Sequence, residues 1–108
     1  MNTYKATDIR VIDGDTFECV VHLEEFEETK TRHIRFLGIN APEKSGATKA
    51  EGLLSKAYVQ TRISESKIVE LGITGKDSFG RLLSIVYLDG VNLCEEMLRE
   101  GYAVPYVR

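Results

Sequence analysis

Apolar and polar positions alternate with a two-residue period through the first third of the chain. Phe17, Cys19, Val21 and Leu23 fall on one side, and Thr16, Glu18, Val20 and His22 on the other, the pattern of a half-buried strand. The β-rich run over residues 4–12 predicts a strand before it, with Asp13-Gly14-Asp15 as the turn between the two. Ile34 and Phe36 alternate with His33 and Arg35 and predict a third strand. Three strands in succession with short connections predict an antiparallel meander.

The period then lengthens. Leu53, Leu54, Ala57 and Tyr58 predict the apolar stripe of a helix over about residues 49–63, with Thr48 and Glu51 as its capping box. Residues 67–73 and 82–88 predict two more strands around a polar turn at Gly75-Lys76-Asp77-Ser78. Asn92 with Glu95 opens a second helix carrying Leu93, Cys94, Met97 and Leu98, which Gly101 closes. The order predicts a mainly β fold with α (α+β): a five-stranded Greek-key OB-fold barrel, with one helix between strands 3 and 4 and a second after strand 5.

Composition narrows the class. A chain of 108 residues, 43% hydrophobic and 29% charged, is expected to fold as one domain over residues 1–108. No apolar run approaches the ~20 residues of a membrane helix. Residues 1–5 lack an apolar stretch, so the sequence as given shows no signal peptide. A cytoplasmic location is expected, or secretion if a leader has been removed. The net charge of -3 argues weakly against a general nucleic-acid-binding surface. The acidity is local, however: Glu18, Glu24, Glu25, Glu27 and Glu28 share one segment without Lys or Arg, and the rest of the chain is slightly basic. The acidic run reads as a solvated hairpin tip. Cys19 and Cys94 each fall on an apolar stripe and read as buried free thiols. His22 and His33 lack zinc-ligand spacing.

Three segments hold polar residues that the fold does not require. Ile12-Asp13-Gly14-Asp15-Thr16 sets two carboxylates around a glycine, either a plain turn or a source of hard oxygen ligands for a cation such as Ca²⁺. In Arg35-Phe36-Leu37-Gly38-Ile39-Asn40-Ala41-Pro42-Glu43, Pro42 keeps Ala41 extended. Asn40, the Ala41 carbonyl and Glu43 therefore project from a stiff segment, as oxygen ligands or as an ordinary surface loop. Arg35 offers a planar fork suited to a phosphate. Asp77-Ser78-Phe79-Gly80-Arg81 is a tight turn whose Arg81 is a second phosphate ligand or a charged strand flank.

The order and spacing of these segments resemble the thermonuclease (staphylococcal nuclease-like) family. The matching motifs are Val11-Ile12-Asp13-Gly14-Asp15-Thr16, the run from Arg35 to Glu43, Phe79-Gly80-Arg81, and the stretch from Val91 through Gly101 to Tyr106. The resemblance runs over about residues 5–108. The resemblance implies a Ca²⁺-dependent phosphodiesterase that cuts DNA and RNA and leaves 3′-phosphate ends. By position it implies Asp15 and Asn40 as metal ligands with the Ala41 backbone carbonyl, and Glu43 as the base that activates water. It implies Arg35 and Arg81 as the guanidinium pair on the scissile phosphate, and Phe79 and Tyr106 as the lining of the nucleotide pocket. Asn40 stands where the family has aspartate, while Phe79 and Arg108 stand where it has tyrosine.

Elementary chemistry asks for the same groups. Phosphodiester hydrolysis needs a cation at the phosphoryl oxygen, positive charge where the transition state gathers negative charge, and a base for water. The expected substrate is single-stranded or locally melted DNA and RNA, without a membrane, and a monomer is expected. The alternative is a catalytically weakened nuclease-like OB module that binds nucleic acid or protein. Retention of Asp15, Arg35, Glu43 and Arg81 together favours the enzyme.

Overall fold

The structure is a computed structural model that describes residues 2–23 and 28–106. The acidic tip expected over residues 24–28 lies outside the described residues except for the backbone of Glu28, and Arg108 lies outside them too.

Strands β1 (Tyr4–Asp13), β2 (Thr16–Leu23) and β3 (Glu28–Phe36) form the antiparallel meander that the alternation predicts. Strand β5 (Val69–Lys76) pairs antiparallel with β1 and with β6 (Leu82–Leu88). Strand β6 then runs parallel beside β3, matching Ile34 with Leu82 and Arg35 with Leu83. That last pairing closes a five-stranded barrel of OB-fold arrangement. Three short strands lie outside the sequence reading: β4 (Ile39–Asn40) with β8 (Val104–Pro105), and β7 (Val91–Asn92) on the edge of β6.

Strand β5 also differs from expectation at both ends. The N–H groups of Lys67 and Ile68 bond to the Asp89 carboxylate instead of a neighbouring strand, so pairing starts at Val69. A bulge between Ile73 and Gly75 then carries the strand through Gly75 and Lys76, and the turn shortens to residues 77–80.

The inward positions of the alternating strands fill the barrel. Phe17, Ile34, Phe36, Leu71 and Leu88 are all but inaccessible to solvent, and the Phe17 and Phe36 rings meet edge to face at 5.5 Å. Each such side chain contributes roughly 1.5–3 kcal/mol by burial. Cys19 and Cys94 are buried free thiols. Burial pushes the Cys19 thiol up to about 12 and raises that of Cys94, so neither ionises at neutral pH.

Helix α2 (Leu93–Arg99) follows its sequence signals. Asn92 accepts from the Glu95 N–H at 3.1 Å, Leu93, Cys94 and Met97 are buried, and the chain turns at Gly101. Helix α1 (Lys49–Glu65) does not follow them. A 3₁₀ turn, Gly46–Thr48, leads into it, so Thr48 lacks the extended backbone of an N-cap and makes no capping bond. Its hydroxyl donates to the Glu43 carbonyl instead, at 2.8 Å. The expected stripe is also displaced: Leu53 and Leu54 are 46% and 63% exposed, and the buried positions are Gly52, Ser55 and Val59. The reason is steric. At Gly52 this face of α1 meets the backbone of residues 43–44, which a large apolar side chain would hold away. Among the described residues no helix is long and apolar enough to cross a membrane.

Glu96 ties α2 to α1. Its carboxylate accepts from Arg62 Nε at 2.7 Å and Nη2 at 2.9 Å, and from the Tyr58 hydroxyl. The Arg62 bonds hold the Glu96 carboxyl below its ordinary value, while burial and the Glu96 charge push Tyr58 up to about 12. A lowered carboxyl stabilises the fold fully above its ordinary value of 4.5, and that stabilisation is lost as pH falls through the lowered value. Glu96→Gln is therefore expected to lose about 2 kcal/mol at neutral pH, the scale of hydrogen bonds to a charged group. Urea unfolding should show a smaller gap from the wild type in acid. An equal gap at both pH values would mean that Glu96 ionisation does not hold the helices together.

Candidate active site

The barrel rim is built by register. Asp13 pairs with Thr16 across the β1–β2 turn, and Thr16 pairs with Arg35, so Asp15 and Arg35 emerge side by side. Arg81 directly precedes Leu82, which pairs with Ile34, and closure of the barrel therefore brings the second guanidinium to the same rim.

Asp15 ties three segments together. Its Oδ2 accepts from the Ala41 N–H at 2.8 Å, its Oδ1 accepts from the Thr16 hydroxyl at 3.0 Å, and Arg35 Nη2 lies 3.5 Å from Oδ2. The turn that carries Asp15 sits hard against α1. A Cβ on Gly14 would meet Ser55 Cβ at 2.7 Å and Ala41 Cβ at 2.8 Å, so this position takes only glycine without displacement.

Arg35 is held nearly all round. Nη1 donates to the Phe36 carbonyl at 3.0 Å and the Ile39 carbonyl at 2.9 Å, and Nη2 donates to Asn40 Oδ1. Only 12% of its side chain is exposed. A guanidinium with its donors on fixed oxygens is a stationary positive charge.

Arg81 is held differently. Asp77 Oδ2 accepts its Nε at 2.7 Å, while Asp77 Oδ1 accepts the N–H groups of Phe79 and Arg81, each at 2.9 Å. Burial opposes the charge on Asp77, yet the bonds from Arg81 and Phe79 hold its carboxyl below the ordinary value. The Phe79 ring, 82% exposed, covers the Arg81 guanidinium at 5.4 Å. Tyr106 stands 5.9 Å from the Arg35 guanidinium, and its N–H donates to the Gly38 carbonyl.

These groups line two adjoining cavities. One, of about 360 Å³, is bounded by Asp15, Arg35, Asn40, Ala41, Glu43 and Arg81, together with Asp13, Thr16 and Pro42. The other, of about 660 Å³, shares Arg35, Asn40 and Arg81 and adds Phe79 and Tyr106 at its mouth. All eight residues named from the sequence thus border one or both of these two cavities. The oxygens along the smaller cavity's lining include the carboxylates of Asp13, Asp15 and Glu43, the amide of Asn40 and the backbone of Ala41. Among the described residues, no three His, Cys, Asp or Glu side chains converge as a metal site.

Sequence reasoning passed over two further residues. Asp77 left a usable signal, since an aspartate two residues before Phe79 and four before Arg81 can cap its own turn. Lys44 left none, because its main partner is a backbone carbonyl. It donates to Ile12 O at 2.7 Å and lies 3.5 Å from Asp13 Oδ1.

Comparison with known proteins supplies an independent line. Residues 33–108 match the model of the family described as staphylococcal nuclease homologue. The chain is 34% identical to an uncharacterized endonuclease of Haemophilus influenzae, across 91% of this chain and 50% of that protein. It is also 34% identical to Endonuclease YhcR of Bacillus subtilis, across 90% of this chain and 8% of that protein. Its identity to the thermonuclease of Staphylococcus hyicus is 30%, across 94% of this chain and 57% of that protein. The chain thus spans half of the first relative, a small part of the second and just over half of the third.

Proposed function

Because the chain belongs to the staphylococcal nuclease homologue family, we propose that it is a metal-dependent phosphodiesterase that hydrolyses DNA and RNA. The observation that carries this reading is the convergence of Asp15, Arg35, Glu43 and Arg81, from three separate segments, on one cavity. The relatives are named endonucleases and a thermonuclease, which agrees with that chemistry.

In this reading Glu43 takes a proton from water as the water oxygen attacks phosphorus. The bond from phosphorus to the 5′ oxygen breaks, so the phosphate stays on the 3′ side and the leaving oxygen gains a proton. Arg35 and Arg81 hold the phosphate from two sides and offset the charge that gathers on it. Their anchors, four oxygens for Arg35 and Asp77 for Arg81, keep both charges in place before substrate arrives. The all-oxygen donor set of Asp15, Asn40 and the Ala41 carbonyl suits a hard cation such as Ca²⁺. Such an ion, when bound, supplies polarisation of the phosphoryl oxygen. Phe79 and Tyr106 offer exposed rings on which an unpaired base can stack, which favours single-stranded or locally melted substrate.

Substitution tests the assignment. Glu43→Gln and Arg81→Ala should each lower kcat at least ~10²-fold, the scale of a positioned base or charge stabiliser, with the melting temperature retained. Arg35→Ala should lower kcat as far and the melting temperature as well, because three acceptors lose their donor and Asp15 loses its ion pair. Retention of kcat within a few-fold in all three variants would overturn the site.

A second reading, a nuclease-like OB module that binds nucleic acid or protein without efficient cleavage, has one observation in its favour. Asn40 brings an oxygen without charge, and that oxygen already accepts from Arg35. Calcium binding should accordingly be weak, in the millimolar range of sites with few carboxylates. Asn40→Asp is expected to tighten it by on the order of tenfold, since affinity follows ligand charge. The same variant should gain melting temperature when Ca²⁺ is added, by linkage. Calorimetric titration reads this without any turnover. Equal affinities would show that residue 40 is not a ligand.

A further inference from the structure

Gly52 lies inside α1, where glycine is a poor helix former. A Cβ at this position would meet the Glu43 carbonyl oxygen at 2.4 Å, its carbonyl carbon at 2.5 Å and Lys44 Cα at 2.6 Å. All three are backbone atoms, so no side-chain rotation clears the space, and the segment itself would have to move. One turn earlier, the Thr48 hydroxyl donates to that same Glu43 carbonyl at 2.8 Å. On the far side, the Lys44 ammonium donates to the carbonyl of Ile12 at the end of β1. The backbone of residues 43–44 is thus seated on α1 and tethered to the barrel, and Pro42 stiffens the approach to it.

We propose that Gly52 and Thr48 are positioning residues for Glu43: the bare Cα of Gly52 admits the Glu43–Lys44 backbone, and the Thr48 hydroxyl fixes its height on the helix. This rests on the nuclease reading, in which Glu43 activates water. A base works only within hydrogen-bond reach of the proton that it removes, and a displacement of ~1 Å costs as much as ~10²-fold. Glycine at position 52 therefore trades helix propensity for the placement of a carboxylate, and alanine there should disturb the site more than it helps the helix.

The test uses steady-state kinetics on a single-stranded oligonucleotide with Ca²⁺. Gly52→Ala, Thr48→Val and Thr48→Ser are compared in the wild-type and Glu43→Gln backgrounds, with melting curves and amide NMR spectra. Gly52→Ala should lower kcat at least ~10-fold with KM within about threefold, because the reacting group moves and the phosphate anchors do not. Thr48→Val should lower kcat in the same sense, and Thr48→Ser, which keeps the hydroxyl, should restore it. In the Glu43→Gln background neither Gly52→Ala nor Thr48→Val should cost more than about twofold, since the group they place is gone. Unchanged kcat in Gly52→Ala and Thr48→Val, or equal losses in both backgrounds, would overturn the proposal. If Gly52→Ala does not fold, the Thr48 pair decides. If the wild type cleaves nothing, the nuclease reading fails by itself. The seat is then judged by the Glu43 and Lys44 amide resonances: displaced in Gly52→Ala they support it, unmoved they refute it.

Discussion

The parallel pairing of residues 34–36 with residues 82–84 is the constraint on which the site depends. It closes the barrel and joins two segments that are far apart in sequence. Closure sets Arg35 on β3 and Arg81 at the start of β6 on one rim, and the β2–β3 register sets Asp15 beside Arg35. Without it the chain would hold the same polar residues on separate hairpins. The apolar core and the site are therefore one problem: Ile34 and Phe36 face inward because Arg35, between them, faces out.

The second organising surface is the inner face of α1. Its buried residues there are Gly52, Ser55 and Val59, Thr48 stands just before its first turn, and the backbone of residues 43–44 packs against Gly52. The turn at Gly14 lies against Ser55, the Glu43 carbonyl lies against Gly52 and Thr48, and the Tyr102 carbonyl accepts from the Ser55 hydroxyl at 2.6 Å. Three separate loops are thus registered against one rigid rod. Loops held in this way can present polar groups at fixed positions without a large apolar core beneath them.

Much of this was legible in the sequence, for physical reasons that can be named. Period-two alternation at Phe17, Cys19 and Val21 reports a sheet with one buried face, and Asn92 and Gly101 report helix ends through local backbone chemistry. The family resemblance, carried by the motifs around Asp15, Arg35 and Arg81, named residues that border two adjoining cavities. What escaped was whatever depends on backbone as a partner. Periodicity assumes that a helix buries its large apolar residues, so it chose Leu53 and Leu54 over Gly52 and Ser55. The Thr48–Glu51 pair has the form of a capping box, but the Glu43 carbonyl took the hydroxyl. The Lys44 tether leaves no local pattern at all, whereas the barrel was legible from the order of strands and helices.

The site balances fixed positive charge against few negative ligands. Arg35 and Arg81 are each locked to neighbouring oxygens, whereas the proposed cation seat has Asp15 as its carboxylate and neutral oxygens at Asn40 and Ala41. In the proposed reading such a site needs its cation to complete the charge around a phosphate. Incubation of the protein with a single-stranded DNA oligonucleotide in Ca²⁺ or in EDTA, followed by mass analysis of the fragments, tests this dependence most directly. Cleavage with Ca²⁺ is expected to leave 3′-phosphate ends and to cease in EDTA. Folded protein that cuts nothing at any calcium concentration, or that cuts equally well in EDTA, would contradict it.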